Sequence, residues 1–162
     1  MIRSTTRSRL AIATAAGAVL ALTSTSVSAA DACRVAAGKV QLAPVSGPEC
    51  LSPVGLCFAG ELTGGLTGTA FTTATSITPT VDTPQTTVVL FTADAVIGTR
   101  HGELELKDAV LFQSAGAGEF SELSTFVGGT GDWEGASGVF RAEGTFDGTT
   151  VDGTYRAEVC QS

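Results

Sequence analysis

One glycine-dense turn constrains the fold of this chain more than any other segment. Residues 128–138 read GGTGDWEGASG and include the chain's single tryptophan. Glycine accepts positive φ angles and lets two backbones approach closely, so the segment suits a tight, twisted connection between strands. Trp133 can then fold back as an apolar plug. This pattern predicts a barrel but no particular reaction. The residues of the turn motif are Gly128, Gly129, Gly131, Trp133, Gly135 and Gly138.

Short alternating runs of apolar and polar residues occupy most of the remaining chain, and no stretch has sustained helical spacing. In the last run Val151, Tyr155 and Val159 share one face, and Asp147-Gly148 before it predicts a two-residue hairpin. The fold class is therefore all-β, an eight-stranded antiparallel up-and-down β-barrel, with a two-sheet sandwich as the alternative. The strands are expected near residues 34–43, 56–63, 66–78, 86–98, 102–113, 119–128, 137–147 and 149–160.

The first thirty residues have the composition of a cleaved secretory signal. Three arginines precede an uncharged run at 10–22, and small residues follow it at 27–30. The residues before Cys33 make a poor lipobox, which disfavours acylation there. No later stretch is long and apolar enough to span a bilayer, so we expect no membrane insertion. Residues 1–30 are interpreted as a signal peptide and 31–162 as one secreted domain.

The charge balance of the mature chain is strongly acidic. Removing residues 1–30 leaves six basic residues against 16 acidic ones, a net charge of −10. Such a surface repels nucleic acid and anionic lipid, so we expect no nucleic-acid partner. Its simplest role is to keep an extracellular protein soluble.

Four cysteines form an even set, as expected of an exported protein with two disulfides. Three pairings are possible. A local bond between Cys50 and Cys57 is favoured because Pro53 and Gly55 form a turn between them, and Cys33 then pairs with Cys160 across the closing seam. A zinc site is disfavoured because the chain has no Cys-x-x-Cys motif and one histidine. We expect no metal and no cofactor.

Residues that could carry catalysis are few. His101 lies in a predicted turn between the fourth and fifth strands and is interpreted as a solvated turn histidine. No Gly-x-Ser-x-Gly elbow accompanies it, since residues 135–138 lack that spacing. A serine-hydrolase triad is therefore not predicted.

Asp108 is the weak catalytic candidate among the strand carboxylates Asp94, Asp108 and Glu122. It has the same parity as Leu106 and Val110, which places a carboxyl on an apparently apolar face. If that face lines the lumen, Asp108 could act as a general acid or base, or anchor a ligand hydroxyl. A β-bulge near Asp108 would instead turn it outward, and we favour this reading because residues 109 and 111 continue the apolar pattern on the opposite parity.

The chain resembles the allene oxide cyclase barrel-like and dirigent-like superfamily, in particular its uncharacterised secreted bacterial members. The resemblance covers most of the mature chain and implies an eight-stranded barrel, often trimeric in the plant relatives. Those relatives cyclise an oxidised fatty acid or steer the coupling of phenolic radicals, using the lumen as a mould. The plant cyclases use an asparagine, and this chain contains none, so no catalytic residue is carried over. The matching segments are GGTG at 128–131, Trp133, GASG at 135–138, GT at 144–145 and CLSPVGLC at 50–57.

Three functions fit these observations. The leading hypothesis is a secreted, disulfide-stapled barrel that binds a small apolar or phenolic ligand in its lumen without covalent catalysis. The second is a cyclase, isomerase or dirigent-like protein that acts by confining its substrate, which requires shape and one polar group such as Asp108. The third is an extracellular interaction protein with a solid barrel. We lean against an enzyme because catalytic residue types are scarce.

Overall fold

A computed structural model describes residues 32–83, 87–113 and 118–161, and the predicted signal segment lies outside these ranges. Within them the chain forms eight strands and one 3₁₀ turn, Gly131–Trp133, between the sixth and seventh strands. The strands are β1 Ala32–Val45, β2 Cys57–Gly64, β3 Gly68–Asp82, β4 Thr87–Thr99, β5 Gly102–Gln113, β6 Gly118–Gly129, β7 Ser137–Phe146 and β8 Val151–Gln161.

Each strand pairs antiparallel with its neighbours in sequence, and β1 pairs with β8 to close the barrel. The predicted fold class is therefore confirmed, and the sandwich alternative is wrong. Since every strand reverses direction, the connections alternate between two ends. One end carries the β2–β3, β4–β5 and β6–β7 connections, and we call it the tryptophan end because Trp133 lies in the last of these. The opposite end, which we call the open end, carries the β1–β2, β3–β4, β5–β6 and β7–β8 connections.

The core fills the inside of the barrel because every second residue of each strand points inward. On β8 Val151, Tyr155 and Val159 are buried, as their alternation predicts. The Tyr155 hydroxyl donates to the carbonyl of Leu66 (3.0 Å) and accepts from its N–H (2.7 Å). This pairing ties the β2–β3 turn to β8.

The turn between β7 and β8 lies one residue later than predicted. The Asp147 N–H donates to the Thr150 carbonyl (3.2 Å), which places Gly148 and Thr149 at the tip. The Asp147 carboxylate also accepts hydrogen bonds from the backbone N–H groups of Thr149 and Thr150 (both 2.8 Å). The aspartate therefore starts the turn, and Gly148 supplies its positive φ of 97°.

The glycine-dense turn brings Trp133 into the core. Gly131 and Gly138 have φ angles of 63° and 125°, values that side chains disfavour. Trp133 is 2% exposed, and its Nε1–H donates to Thr99 Oγ1 (2.9 Å). Its indole closes the tryptophan end of the barrel.

Two disulfides connect the described cysteines. Cys33 on β1 is bonded to Cys160 on β8, which lies directly opposite it in the strand register. Cys50 is bonded to Cys57 across the β1–β2 loop. Both are the pairs that the sequence favours. Two disulfides in so short a chain are typical of an oxidising compartment. The residues described include no helix with the length and apolar character needed to cross a bilayer.

Candidate functional site

Asp108 points into the barrel, so the favoured sequence interpretation, an outward-facing carboxylate, is wrong. Leu106, Asp108 and Val110 are all buried on the inner face of β5. The register shift between β5 and β6 lies between Glu105 and Leu106, and Val127 of β6 is the extra residue. Because the extra residue belongs to β6, the alternation of β5 is uninterrupted from Leu104 through Asp108 to Val110.

A second carboxyl lies beside it. Asp108 pairs in register with Ser124 of β6, and Glu122 is two residues away on the same face of that strand. Ser124 is 1% exposed, and its hydroxyl donates to Glu122 Oε1 (2.7 Å). Asp108 is 5% exposed, and its Oδ1 is buried without a hydrogen-bond partner among the residues that the structure describes. A buried polar atom without a partner is costly, which marks this position as incomplete without a donor.

Burial raises the pKa of both carboxyls. Burial, together with the negative charge of Glu122, raises the pKa of Asp108 from 3.8 to about 7, while a hydrogen bond with Ser124 opposes the rise. Burial also raises the pKa of Glu122, again opposed by Ser124. Because the groups are close and share Ser124, they titrate as a pair. Near neutral pH such a pair can both accept a hydrogen bond and hold a proton.

Two small cavities lie inside the barrel beside Glu122. Glu122 lines a cavity of about 30 Å³ toward the open end and another of about 20 Å³ in the middle of the barrel. Each has room for about one or two water molecules, since a water needs roughly 10–15 Å³ by this measure. Neither of these two cavities is large enough for an aromatic ring.

Phenylalanines surround the larger cavity at the open end. We call Phe58, Phe91, Phe112, Phe120 and Phe146 the phenylalanine mouth. The Phe112 and Phe146 rings lie 5.1 Å apart between centroids and are only half-buried. Phe91 and Phe120 are buried deeper. Phe112 and Phe146 are therefore the rings of the mouth that lie closest to solvent.

Glu122 and Ser124 are the site residues that the sequence interpretation did not assign. Both alternate with Phe120 and Phe126 on β6, so the same two-residue period that identified Asp108 was available for them. Glutamate and serine look like outward-facing residues when read singly. Only the pairing of β5 with β6 brings them to Asp108.

His101 lies in the β4–β5 turn and is exposed, in agreement with its interpretation as a turn residue. Its Nδ1 lies 2.9 Å from Asp132 Oδ2, and its Nε2 accepts a hydrogen bond from Arg100 Nε (2.8 Å). It is at the tryptophan end, away from Asp108, so these residues form no common site. Cys33, Cys160 and Glu158 have the spacing of metal ligands, but both sulfurs are in a disulfide.

Comparisons with known proteins return no relative. No family model matches the chain, and no curated protein or solved structure matches it significantly. The resemblance to the allene oxide cyclase barrel-like superfamily therefore stays a prediction. Eight-stranded antiparallel barrels also occur in lipocalins and streptavidin, so the fold alone assigns no function.

Proposed function

We propose that this protein is an exported binding protein that takes a small apolar or phenolic ligand through the phenylalanine mouth, without covalent catalysis. The observation that carries the proposal is the Asp108–Ser124–Glu122 group inside a mainly apolar lumen, where Asp108 Oδ1 has no hydrogen-bond partner among the described residues. A carboxyl pair in such a place costs stability, and protein sites that bear this cost are frequently functional.

The chemistry of the ligand follows from the lining. Aromatic and aliphatic side chains surround the space, so the body of the ligand has to be apolar. Glu122 faces both cavities and offers a carboxyl oxygen to a hydrogen-bond donor. A phenolic hydroxyl satisfies both conditions, because its ring packs against phenylalanine while its O–H donates to the carboxyl.

Binding requires the mouth to open. The cavity beneath it has a volume of about 30 Å³, which is too small for a ring. Phe112 and Phe146 are half-buried, and the Phe146 ring contacts the rings of Phe112 and Phe58. In this proposal, outward rotation of Phe112 and Phe146 makes the necessary space. Shortening Phe112 to alanine should create that space in advance.

The proposal is tested with p-cresol and toluene, a pair of probes that differ in one hydroxyl. Backbone amide shifts of the oxidised mature protein are followed by NMR during titration with each probe. We expect saturable amide shifts at the phenylalanine mouth, and p-cresol should bind about tenfold tighter than toluene, as one hydrogen bond allows. The Phe112→Ala variant should bind both probes more tightly.

Two variants locate the hydroxyl contact. Glu122→Leu should bind both probes equally, because the acceptor is gone while an apolar side chain fills its place. Leu123→Ala, on the exposed outer face of β6 beside it, should leave both affinities unchanged. If neither the unmodified protein nor Phe112→Ala shows saturable shifts with either probe, the proposal is wrong.

A second function, an extracellular interaction protein with a solid barrel, is favoured by the small volume of the lumen cavities. In that case the outer face carries the function, and Leu111, Leu123 and Val127 of β5 and β6 are about half exposed there. The family resemblance implies a trimer. Sedimentation equilibrium of the mature protein decides this point, since a monomer removes the self-assembly version of the idea.

An enzyme that confines its substrate would use the same lumen. Asp108, with a pKa raised to about 7, has a suitable proton affinity for a general acid at neutral pH. Acceleration or stereochemical bias in a screen of reactive phenols and oxidised lipids would favour this reading. If Asp108→Asn leaves any such activity unchanged, Asp108 is not its acid.

A further inference from the structure

A second, larger cleft lies at the tryptophan end, outside the packed core. Its volume is about 420 Å³, within the range of small-molecule sites. The β2–β3 and β4–β5 turns form two of its walls, through Thr67 and Arg100, and β1 contributes Arg34. We call this space the arginine cleft. The core separates it from the phenylalanine mouth.

The arginine cleft is positively charged on a protein that is otherwise acidic. Arg34 and Arg100 both line it, whereas no aspartate or glutamate does. Throughout the described ranges, neither guanidinium has a carboxylate within 4.0 Å; the ion pairs found there are His101–Asp132 and Lys107–Asp94. The cleft thus holds two of the six basic residues of the mature chain, and neither is in an ion pair with a described carboxylate.

Both arginines are held in place. The Arg34 guanidinium lies over the Trp133 ring, 4.4 Å from its centroid, and a hydrogen bond to Thr99 fixes that ring. Arg100 donates from Nε to His101 Nε2 (2.8 Å), and His101 contacts Asp132 through Nδ1 (2.9 Å). This arrangement assigns the proton of the imidazole to Nδ1. The terminal nitrogens of both guanidiniums have no hydrogen-bond partner among the described residues, so they are available to donate hydrogen bonds to a ligand.

We propose that the arginine cleft binds a small oxyanion-bearing molecule, a carboxylate or a phosphate, between Arg34 and Arg100. Planar guanidinium groups present paired N–H donors that match the oxygens of both anions. The stacking of Arg34 on Trp133 and the support of Arg100 by His101 reduce the conformational freedom lost on binding. His101 and Asp132 are positioning residues in this scheme.

The test uses sodium malonate and inorganic phosphate as probes in separate calorimetric titrations of the oxidised mature protein, with chloride held constant. The double variant Arg34→Gln/Arg100→Gln is compared with Arg141→Gln/Arg156→Gln, which removes the same charge from the outer face of β7 and β8, where those two arginines are paired in register. We expect saturable binding that weakens at least about tenfold in the first variant and less than about twofold in the second.

Arg100→Lys serves as a milder variant should the double variant not fold. It retains the charge but loses the planar fork and the Nε donor to His101, so binding should still weaken. Preference for phosphate or for malonate identifies the class of oxyanion, and either supports the proposal. Equal weakening in the two double variants indicates general electrostatic attraction and overturns it, as does the lack of saturable binding with both probes. Neither result depends on whether the phenylalanine mouth binds a ligand.

Discussion

At the scale of single residues, the buried carboxyl of Asp108 makes the stability of the fold depend on pH. Its pKa in the folded protein lies above the unfolded value of 3.8. The folded state therefore binds its proton more tightly than the unfolded state does. The stability that tighter proton binding by Asp108 contributes is fully present below about pH 4 and is lost as the pH rises through about 7.

We expect Asp108→Asn to raise the free energy of unfolding at pH 8 by about 2–4 kcal/mol, because one pKa unit corresponds to about 1.4 kcal/mol. It should also reduce the loss of stability between pH 4 and pH 7. Urea unfolding at several pH values measures both effects. Asp94→Asn, which breaks the exposed pair with Lys107, should change stability by less than about 1 kcal/mol. A destabilised Asp108→Asn protein at pH 8 would contradict this account.

Gly129 offers a second prediction at this scale. A Cβ there would meet the Glu103 carbonyl oxygen and the Trp133 backbone, neither of which can easily move. We expect Gly129→Ala to cost about 2–3 kcal/mol, typical of overpacking. Gly148→Ala is the control, since the added Cβ would enter open space. Only the positive φ of residue 148 is unfavourable for alanine, and it should cost about 1–2 kcal/mol of stability. Equal losses in chemical denaturation would be inconsistent with a steric cause at Gly129.

Sequence alternation placed Asp108 on an apolar face, but it did not locate the bulge that decides where that face points. The apolar residues Ala109 and Leu111 suggested a change of register after Asp108. In fact both lie on the outer face, and the extra residue is Val127 of the neighbouring strand. A bulge depends on the pairing of two strands, so the sequence of one strand cannot place it.

At the scale of strands and connections, more of the structure could be predicted from the sequence than at the scale of single residues. Period-two alternation and glycine-rich turns marked all eight strands, and β5 begins and ends at the predicted residues, 102 and 113. The arginine cleft could not be predicted in this way. Its residues 34, 67, 100 and 133 belong to separate elements that meet only when the barrel closes.

The two disulfides should differ in their effect because they close loops of different length. Cys33 and Cys160 are 127 residues apart, and Cys50 and Cys57 are seven apart. The chain-entropy model assigns about 5 kcal/mol to the first bond and about 2.5 kcal/mol to the second. We therefore expect Cys33→Ser/Cys160→Ser to lower the melting temperature more than Cys50→Ser/Cys57→Ser does. The reverse order in thermal melts would show that local strain in the β1–β2 loop outweighs chain entropy.

At the scale of the whole molecule, the charge imbalance governs the response to salt. Residues 31–162 carry a net charge of −10, so the excess carboxylates repel one another in the compact folded state. Salt screens this repulsion. We expect the melting temperature at pH 8 to rise by several degrees between low and high sodium chloride. Near pH 4, where carboxylates become protonated, the rise should shrink. A fall with salt at pH 8 would mean that attractive ion pairs dominate instead.

The seam between β1 and β8 joins the first and last strands of the barrel, so both ends of the described chain lie side by side. Ala32 lies opposite Gln161, and the neighbouring cysteines are bonded to each other, so the described chain runs in a covalently closed circle. A short linker joining these two positions would let the polypeptide be opened elsewhere, for example at Gly148 in its exposed turn. Such circular permutants tolerate new termini where the backbone is exposed and lightly bonded. The order in which the strands are synthesised is thus separable from the barrel they form.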